Sequence, residues 1–199
     1  MTVRTLFATP LYEAEIADEP LLAALAHSIR SLAADDTAGR NWSRRHRYSG
    51  YTSYASLNDL PSRDPAFADL ARLLARHAAT FAGECAFDLA RKPKLDSLWA
   101  NLLKGSGHHS AHIHPNSVIS GTFYVEAPGG SGAIRFEDPR LPMMMAAPKR
   151  REDAPEELQS FVSVEPRSGL LLMWESWLRH EVLPGRARGE RLSVSFNFA

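Results

Sequence analysis

Near residue 94 this 199-residue chain changes character. Up to that point apolar residues recur at helical spacing. Beyond it helical periodicity stops, and short strand-like runs follow, punctuated by glycine and proline: KLDSLWANLLK, HSAHIHP, SVISGTFYVEAP, GAIRFEDP, QSFVSVEP, GLLLMWES, WLRHEVLP and RLSVSFNFA. Runs of this kind, with turn signals between them, predict a sandwich, a jelly roll or a closed barrel. The length suits a single domain over 1–199. Residues 1–93 would supply an opening strand and helical support, and 94–199 the β-rich core.

Two helices are predicted upstream. In DEPLLAALAHSIRSLAADD (18–36), Leu21, Leu22, Leu25, Ile29 and Leu32 share a face, and Pro20 suits the first turn. In DPAFADLARLLARHAATFAGECAFDL (64–89), Asp64 can cap and Pro65 can start a helix whose inner face carries Phe67, Leu70, Leu74, His77, Ala78 and Phe81. His77 on that face reads as a partly buried core histidine. RTLFATPLYEAEI (4–16) reads as a strand broken at Pro10. Residues 39–63 read as irregular and polar, and their arginine-rich start as a solvated loop. Residues 137–158, with four prolines and three consecutive methionines, read either as a flap over a site or as a mobile surface loop.

The last strand alternates cleanly. Leu192, Val194, Phe196 and Phe198 fall on one face, and Arg191, Ser193, Ser195 and Asn197 on the other. Two amphipathic helices need an apolar sheet face to cover. The polar face is then expected to look into a pocket, with Arg191 as a permanently charged fork for a carboxylate.

Four of the chain's eight histidines crowd into HHSAHIH, residues 108–114. His112 and His114 are two apart, so on a strand both point to one face and can grip one divalent metal. His180, between two short runs near the C-terminus, is the natural third ligand. His108 and His109 are expected at the pocket rim, and Pro115 with Asn116-Ser117 marks a turn.

Composition removes several other classes. Lys plus Arg equals Asp plus Glu at 23 each, so nothing draws the whole chain to nucleic acid or an anionic membrane. The one cysteine, Cys85, allows no internal disulfide and fits a reducing cytoplasm. No signal peptide is visible, and no apolar run approaches the roughly 20 residues of a membrane helix.

The pattern of His-x-His, a strand, a long gap, a distal histidine, and an arginine with serine two residues later resembles the 2-oxoglutarate- and Fe(II)-dependent oxygenases. It is most similar to a bacterial family marked by HIHPNSVISGTFYV, IRFEDPR and WLRHEVLPGRARGERLSVSFN. The resemblance covers about residues 95–199. It implies a double-stranded β-helix with helices packed on one sheet. It also implies Fe(II) as cofactor, 2-oxoglutarate as co-substrate, dioxygen, and a small-molecule or peptide substrate whose C–H bond is oxidised as succinate and carbon dioxide are released. By position, His112 and His180 are iron ligands, Arg191 with Ser193 holds the far carboxylate of 2-oxoglutarate, and Asn101 and Tyr124 line the pocket. Most such enzymes carry an acidic residue where this chain has His114. His114 can ligate directly, a carboxylate such as Asp138 or Glu126 can complete the site, or a position stays open. Its spacing matches the ligand slot and strand parity sets it beside His112, so direct ligation is the expectation.

Two rivals remain at this point. A cupin-like three-histidine metalloprotein would not use 2-oxoglutarate, but it would place a glutamate where this chain has Val118 or Ile119, and it has no use for Arg191. A non-catalytic binding module on the same fold would not need both His180 and Arg191. The helices near the N-terminus offer a possible homodimer face.

Overall fold

A computed structural model describes residues 2–199. In chain order the elements are β1 (Leu11–Glu15), α1 (Glu19–Asp35), α2 (Thr37–Arg45), β2 (Gly50–Thr52), α3 (Pro65–Glu84), β3 (Leu95–Lys104), β4 (His109–His112), β5 (Ile119–Glu126), β6 (Ile134–Glu137), β7 (Phe161–Val164), β8 (Leu170–Glu175), β9 (His180–Val182) and β10 (Glu190–Phe198). Every strand-like run beyond residue 94 forms a strand. The strands make two antiparallel sheets, a six-stranded one in the order β1-β8-β5-β10-β3-β2 and a four-stranded one in the order β4-β9-β6-β7. The N-terminal part thus contributes β1 and β2 at the two edges of the larger sheet. This is a mainly β fold, the double-stranded β-helix, with helices against one sheet.

The helices form where capping and apolar spacing agree. Asp18 accepts from the backbone N–H of Leu21 at 3.0 Å, and Asp64 from that of Ala66 at 2.8 Å. The inner faces of α1 (Leu22, Leu25, Ile29) and α3 (Phe67, Leu70, Leu74, Phe81) bury into one core with Leu98, Phe123, Leu171, Val194 and Phe196 of the larger sheet. Each such fully buried side chain contributes about 1.5–3 kcal/mol through removal from water. His77 is half-buried as expected, bonding the Tyr12 hydroxyl through Nδ1 at 2.7 Å, and burial holds its pKa below the ordinary imidazole value.

The segment expected to be irregular, 39–63, is a correction. It opens within a nine-residue helix, α2, and contains β2. The buried positions of α2 are Gly39 and Ser43, so the helix shows no apolar stripe. What starts it is Asp36, whose carboxylate accepts from the Gly39 N–H at 2.9 Å and from the Tyr51 and Ser56 hydroxyls at 2.8 and 2.6 Å. The 137–158 segment carries two single 3-10 turns, Leu141–Met143 and Glu156–Leu158, with Met143 and Met145 exposed. Among the described residues no helix is long and apolar enough to cross a membrane.

Candidate metal centre

β10 lies between β3 and β5 in the larger sheet, and its alternation decides what each side does. Leu192, Val194, Phe196 and Phe198 are fully buried in the core beneath the helices. Arg191, Ser193 and Ser195 face the other way and line a narrow cavity of about 60 Å³ between the two sheets. Ser193 stands opposite Asn101 on β3 and Tyr124 on β5. Directly opposed residues project to the same face, so these three form one row across three strands, and all three line the cavity. A larger cavity of about 520 Å³, bounded by residues 89–96, Val118 and Ala199, shares no residue with it.

The histidines close the cavity from the smaller sheet. His112 and His180 are register partners on β4 and β9, with ring centroids 4.5 Å apart. β4 ends at His112, so strand parity is not what places His114. Its backbone N–H donates instead to the Ser176 carbonyl at 3.0 Å, just before the turn in which Asn116 takes a positive φ of 70°. The His114 ring is thereby set 5.1 Å from His112 and 5.2 Å from His180. One ligand atom from each of the three lies within 4.8 Å of the others, and among the described residues this is the one such group of histidine, cysteine or acidic side chains.

Protonation also suits a metal. Nδ1 of His112 is 2.7 Å from the Ser110 carbonyl, and Nδ1 of His180 is 2.9 Å from the Leu178 carbonyl. A carbonyl only accepts, so each Nδ1 carries a proton, and Nε2 is the nitrogen left to ligate. Burial lowers the His180 pKa to about 3 and the His114 pKa to about 4, with the neighbouring imidazoles adding to both shifts. Both are therefore neutral at pH 7.

The carboxylates considered for this site are engaged elsewhere. Glu126 pairs with Arg30 of α1 at 2.5 Å, and Asp138 with Arg140 at 2.9 Å. The nearby Glu137 and Glu181 pair with Arg179 and Arg135.

Arg191 is 5% exposed and makes no ion pair among the described residues. It donates through one terminal nitrogen to the Gly132 carbonyl at 3.0 Å, lies 5.7 Å from the centre of the Tyr124 ring, and leaves its Nε without a partner. Burying a guanidinium without a counter-anion costs several kcal/mol. A carboxylate entering the cavity removes that cost, so the residues present fit a metal at the histidines and an acid at Arg191.

His109 was expected at the rim. It lies within β4, lines the cavity and bonds the Tyr48 hydroxyl through Nε2 at 2.9 Å. Burial, then the Arg191 charge, lowers its pKa to about 3. His108 is exposed and is not among the residues that line the cavity. Trp174 walls the cavity, packed 4.6 Å from the His180 ring, whereas Trp177 is exposed. Ser195 lines it too, as the alternation of the last strand implied, and Trp99 and Thr122 also line it but were not singled out from the sequence. Parity along β3 and β5 was the signal for these two, since each is two residues from Asn101 or Tyr124.

A family model described as "Putative 2OG-Fe(II) oxygenase" matches residues 97–197, β3 through most of β10. The chain belongs to this family, an enzyme family that works with Fe(II) and 2-oxoglutarate. Its fold is similar to that of a prolyl-4-hydroxylase from Pseudomonas putida, with a TM-score of 0.62 and 18% identity over 96% of this chain and 92% of that one. The epimerase SnoN of nogalamycin biosynthesis, solved with Fe3+, alpha ketoglutarate and nogalamycin RO, superposes with a TM-score of 0.67 at 16% identity, covering 96% of this chain and 78% of that one. HygX from Streptomyces hygroscopicus, solved with nickel and 2-oxoglutarate bound, gives 0.58 at 16% identity, covering 96% and 82%. At such identities the likeness is one of fold. No curated protein matches the chain.

Proposed function

We propose that this oxygenase hydroxylates a C–H bond of a small-molecule or peptide substrate while 2-oxoglutarate and dioxygen become succinate and carbon dioxide, with His112, His114 and His180 as the three iron ligands. One observation carries the reading: three imidazoles converge at a cavity that also contains a buried guanidinium with no counter-anion. Bound there, the iron would supply the dioxygen chemistry and the co-substrate the reducing equivalents.

The chain's own residues bind and orient. Carbonyls of Ser110 and Leu178 hold two imidazoles in the tautomer that presents Nε2 inward. Arg191 takes the far carboxylate of 2-oxoglutarate, with the Ser193 hydroxyl beside it. Tyr124 and Asn101 shape the wall on either side. Asn101 is held for this by the Thr52 hydroxyl at 2.8 Å and by donating to Ser195 at 3.1 Å. Burial raises the Tyr124 pKa to about 12, so its phenol stays protonated and adds no negative charge beside the incoming acid. A three-histidine face carries one more positive charge than two histidines with a carboxylate, which strengthens its hold on an anionic co-substrate.

Anaerobic titration of the Fe(II)-loaded protein with 2-oxoglutarate tests this through the visible charge-transfer band. The band is expected in the wild type, absent in His180→Ala and greatly weakened in Arg191→Ala. A wild type that binds Fe(II) but gives no band would overturn the co-substrate assignment and favour a metalloprotein that does without 2-oxoglutarate.

A further inference from the structure

Trp99 begins a series of rings that leads away from the histidines. Its ring lies 6.1 Å from that of His114, inclined by 23°. Tyr54 packs edge-on against Trp99 at 5.2 Å, and Trp42 edge-on against Tyr54 at 6.4 Å. His46 stacks on Trp42 at 4.1 Å. The rings come from separate pieces of chain: β3, the segment after β2, and α2. Trp99 is 7% exposed and Tyr54 55%, and Trp42, beyond Tyr54, is half-buried. A tyrosine this exposed adds little to the core. Indole and phenol rings are among the side chains that most readily give up one electron, and neighbouring rings in contact leave only short gaps for it to cross.

We propose that Trp99, Tyr54 and Trp42 form an electron relay between the metal centre and the protein surface, used when 2-oxoglutarate is consumed with no substrate in the cavity. The proposal rests on the reading above, in which His114 is a metal ligand. Conversion of 2-oxoglutarate to succinate and carbon dioxide supplies two of the four electrons that dioxygen needs and takes up one of its oxygen atoms. The second oxygen atom ordinarily goes into the substrate. Without substrate it still requires two electrons and two protons to become water. Tyr54 gives one electron through Trp99 and releases its phenolic proton to solvent. Trp42 gives the second through Tyr54 and Trp99 and releases its indole proton. The two protons consumed at the cavity come from water, so charge balances. The oxidised rings are the exposed Tyr54 and the half-buried Trp42 beside it, where a small reductant such as ascorbate or a thiol can restore them, and the histidines and Trp174 are spared.

The test uses the full chain loaded with Fe(II) and 2-oxoglutarate without oxygen, then mixed with oxygenated buffer and no substrate. Succinate is measured, samples frozen within milliseconds are examined by electron paramagnetic resonance, and later samples by peptide mass. The expected result is an organic radical together with oxidised products at Tyr54 and Trp42. In Tyr54→Phe, succinate formation should be unchanged, oxidation of Trp42 should fall severalfold, and oxidation of Trp99 and of the metal-binding histidines should rise. Trp99→Phe should suppress both surface products and shorten the number of turnovers before inactivation. If succinate forms but oxidation stays within cavity-lining residues of the wild type, or if Tyr54→Phe leaves the distribution unaltered, the relay is wrong and the metal assignment stands. If no succinate forms, the metal assignment fails and the relay fails with it.

Discussion

The two faces of β10 do opposite kinds of work. Toward the helices, Leu192, Val194, Phe196 and Phe198 sit in a dry apolar core. Toward the smaller sheet, Arg191, Ser193 and Asn197 are equally buried, yet they are polar, and Arg191 is left short of partners. The first face gains free energy from being hidden, whereas the second gives some of it up by burying a charge with no counter-anion. Stability and binding should therefore separate cleanly by residue parity along one strand.

The largest effect is expected on the core side. Phe196→Ala removes a fully buried ring, with a cost of about 3–5 kcal/mol, enough to threaten the fold of an ordinary domain. Its signature is a large fall in Tm with little change in 2-oxoglutarate affinity for the fraction that remains folded. Arg191→Leu should do the reverse. Taking an unpaired charge out of the interior leaves Tm unchanged or raised, while loss of a buried charge partner for the carboxylate costs about 2–5 kcal/mol of binding, roughly thirtyfold or more in Kd. Calorimetric unfolding and anaerobic titration on the same two variants break the comparison if both parameters move together.

The contribution of His114 is the next largest. His114→Asp should keep most of the iron, because a carboxylate in that position is the commoner ligand of such sites, whereas His114→Ala should lose it. Iron retained after gel filtration, measured per mole of protein, distinguishes them. Equal retention in the wild type and both variants would remove His114 from the metal.

How far the two faces were readable from sequence follows the same division. The apolar face of β10 and the inner faces of α1 and α3 were legible because period 2 and period 3.6 show in the order of apolar residues along the chain. The polar face was legible at Arg191 and Ser193 because the helices had already claimed the opposite side. What stayed hidden depends on register and tethering. Nothing local states that His112 opposes His180, or that Ser193 shares a row with Asn101 and Tyr124, since pairing joins residues 68 or more positions apart. His114 stands beside His112 through a backbone bond to Ser176 rather than through strand parity. α2 was invisible because its buried side is a glycine and a serine.

His109 gives a subtler contrast, visible in the metal-free protein. Its folded pKa of about 3 lies below the unfolded value near 6.5, so the unfolded state binds the extra proton first. Stability should then fall as pH drops from about 6.5 toward 3, by up to about 1.4 kcal/mol per pH unit from this one group. His109→Gln lacks the titration, and its Tm should decline less steeply over that interval. Parallel curves for the two proteins would mean that His109 is already charged, or is solvated, in the folded state.

The smallest effect belongs to Glu126, and its smallness is informative. The residue lies at the end of β5 and turns toward α1, where Arg30 meets it with both side chains more than two-fifths exposed. An ion pair in such a setting contributes about 0–1 kcal/mol and is screened by salt. Glu126→Gln should therefore lower Tm by no more than about 2–4 °C, and by less in high salt. It should leave iron retention and the 2-oxoglutarate titration untouched, because its carboxylate belongs to the helix-covered side of the sheet and the metal to the other. Loss of iron in this variant would place a carboxylate at the centre after all and dissolve the separation of the two faces.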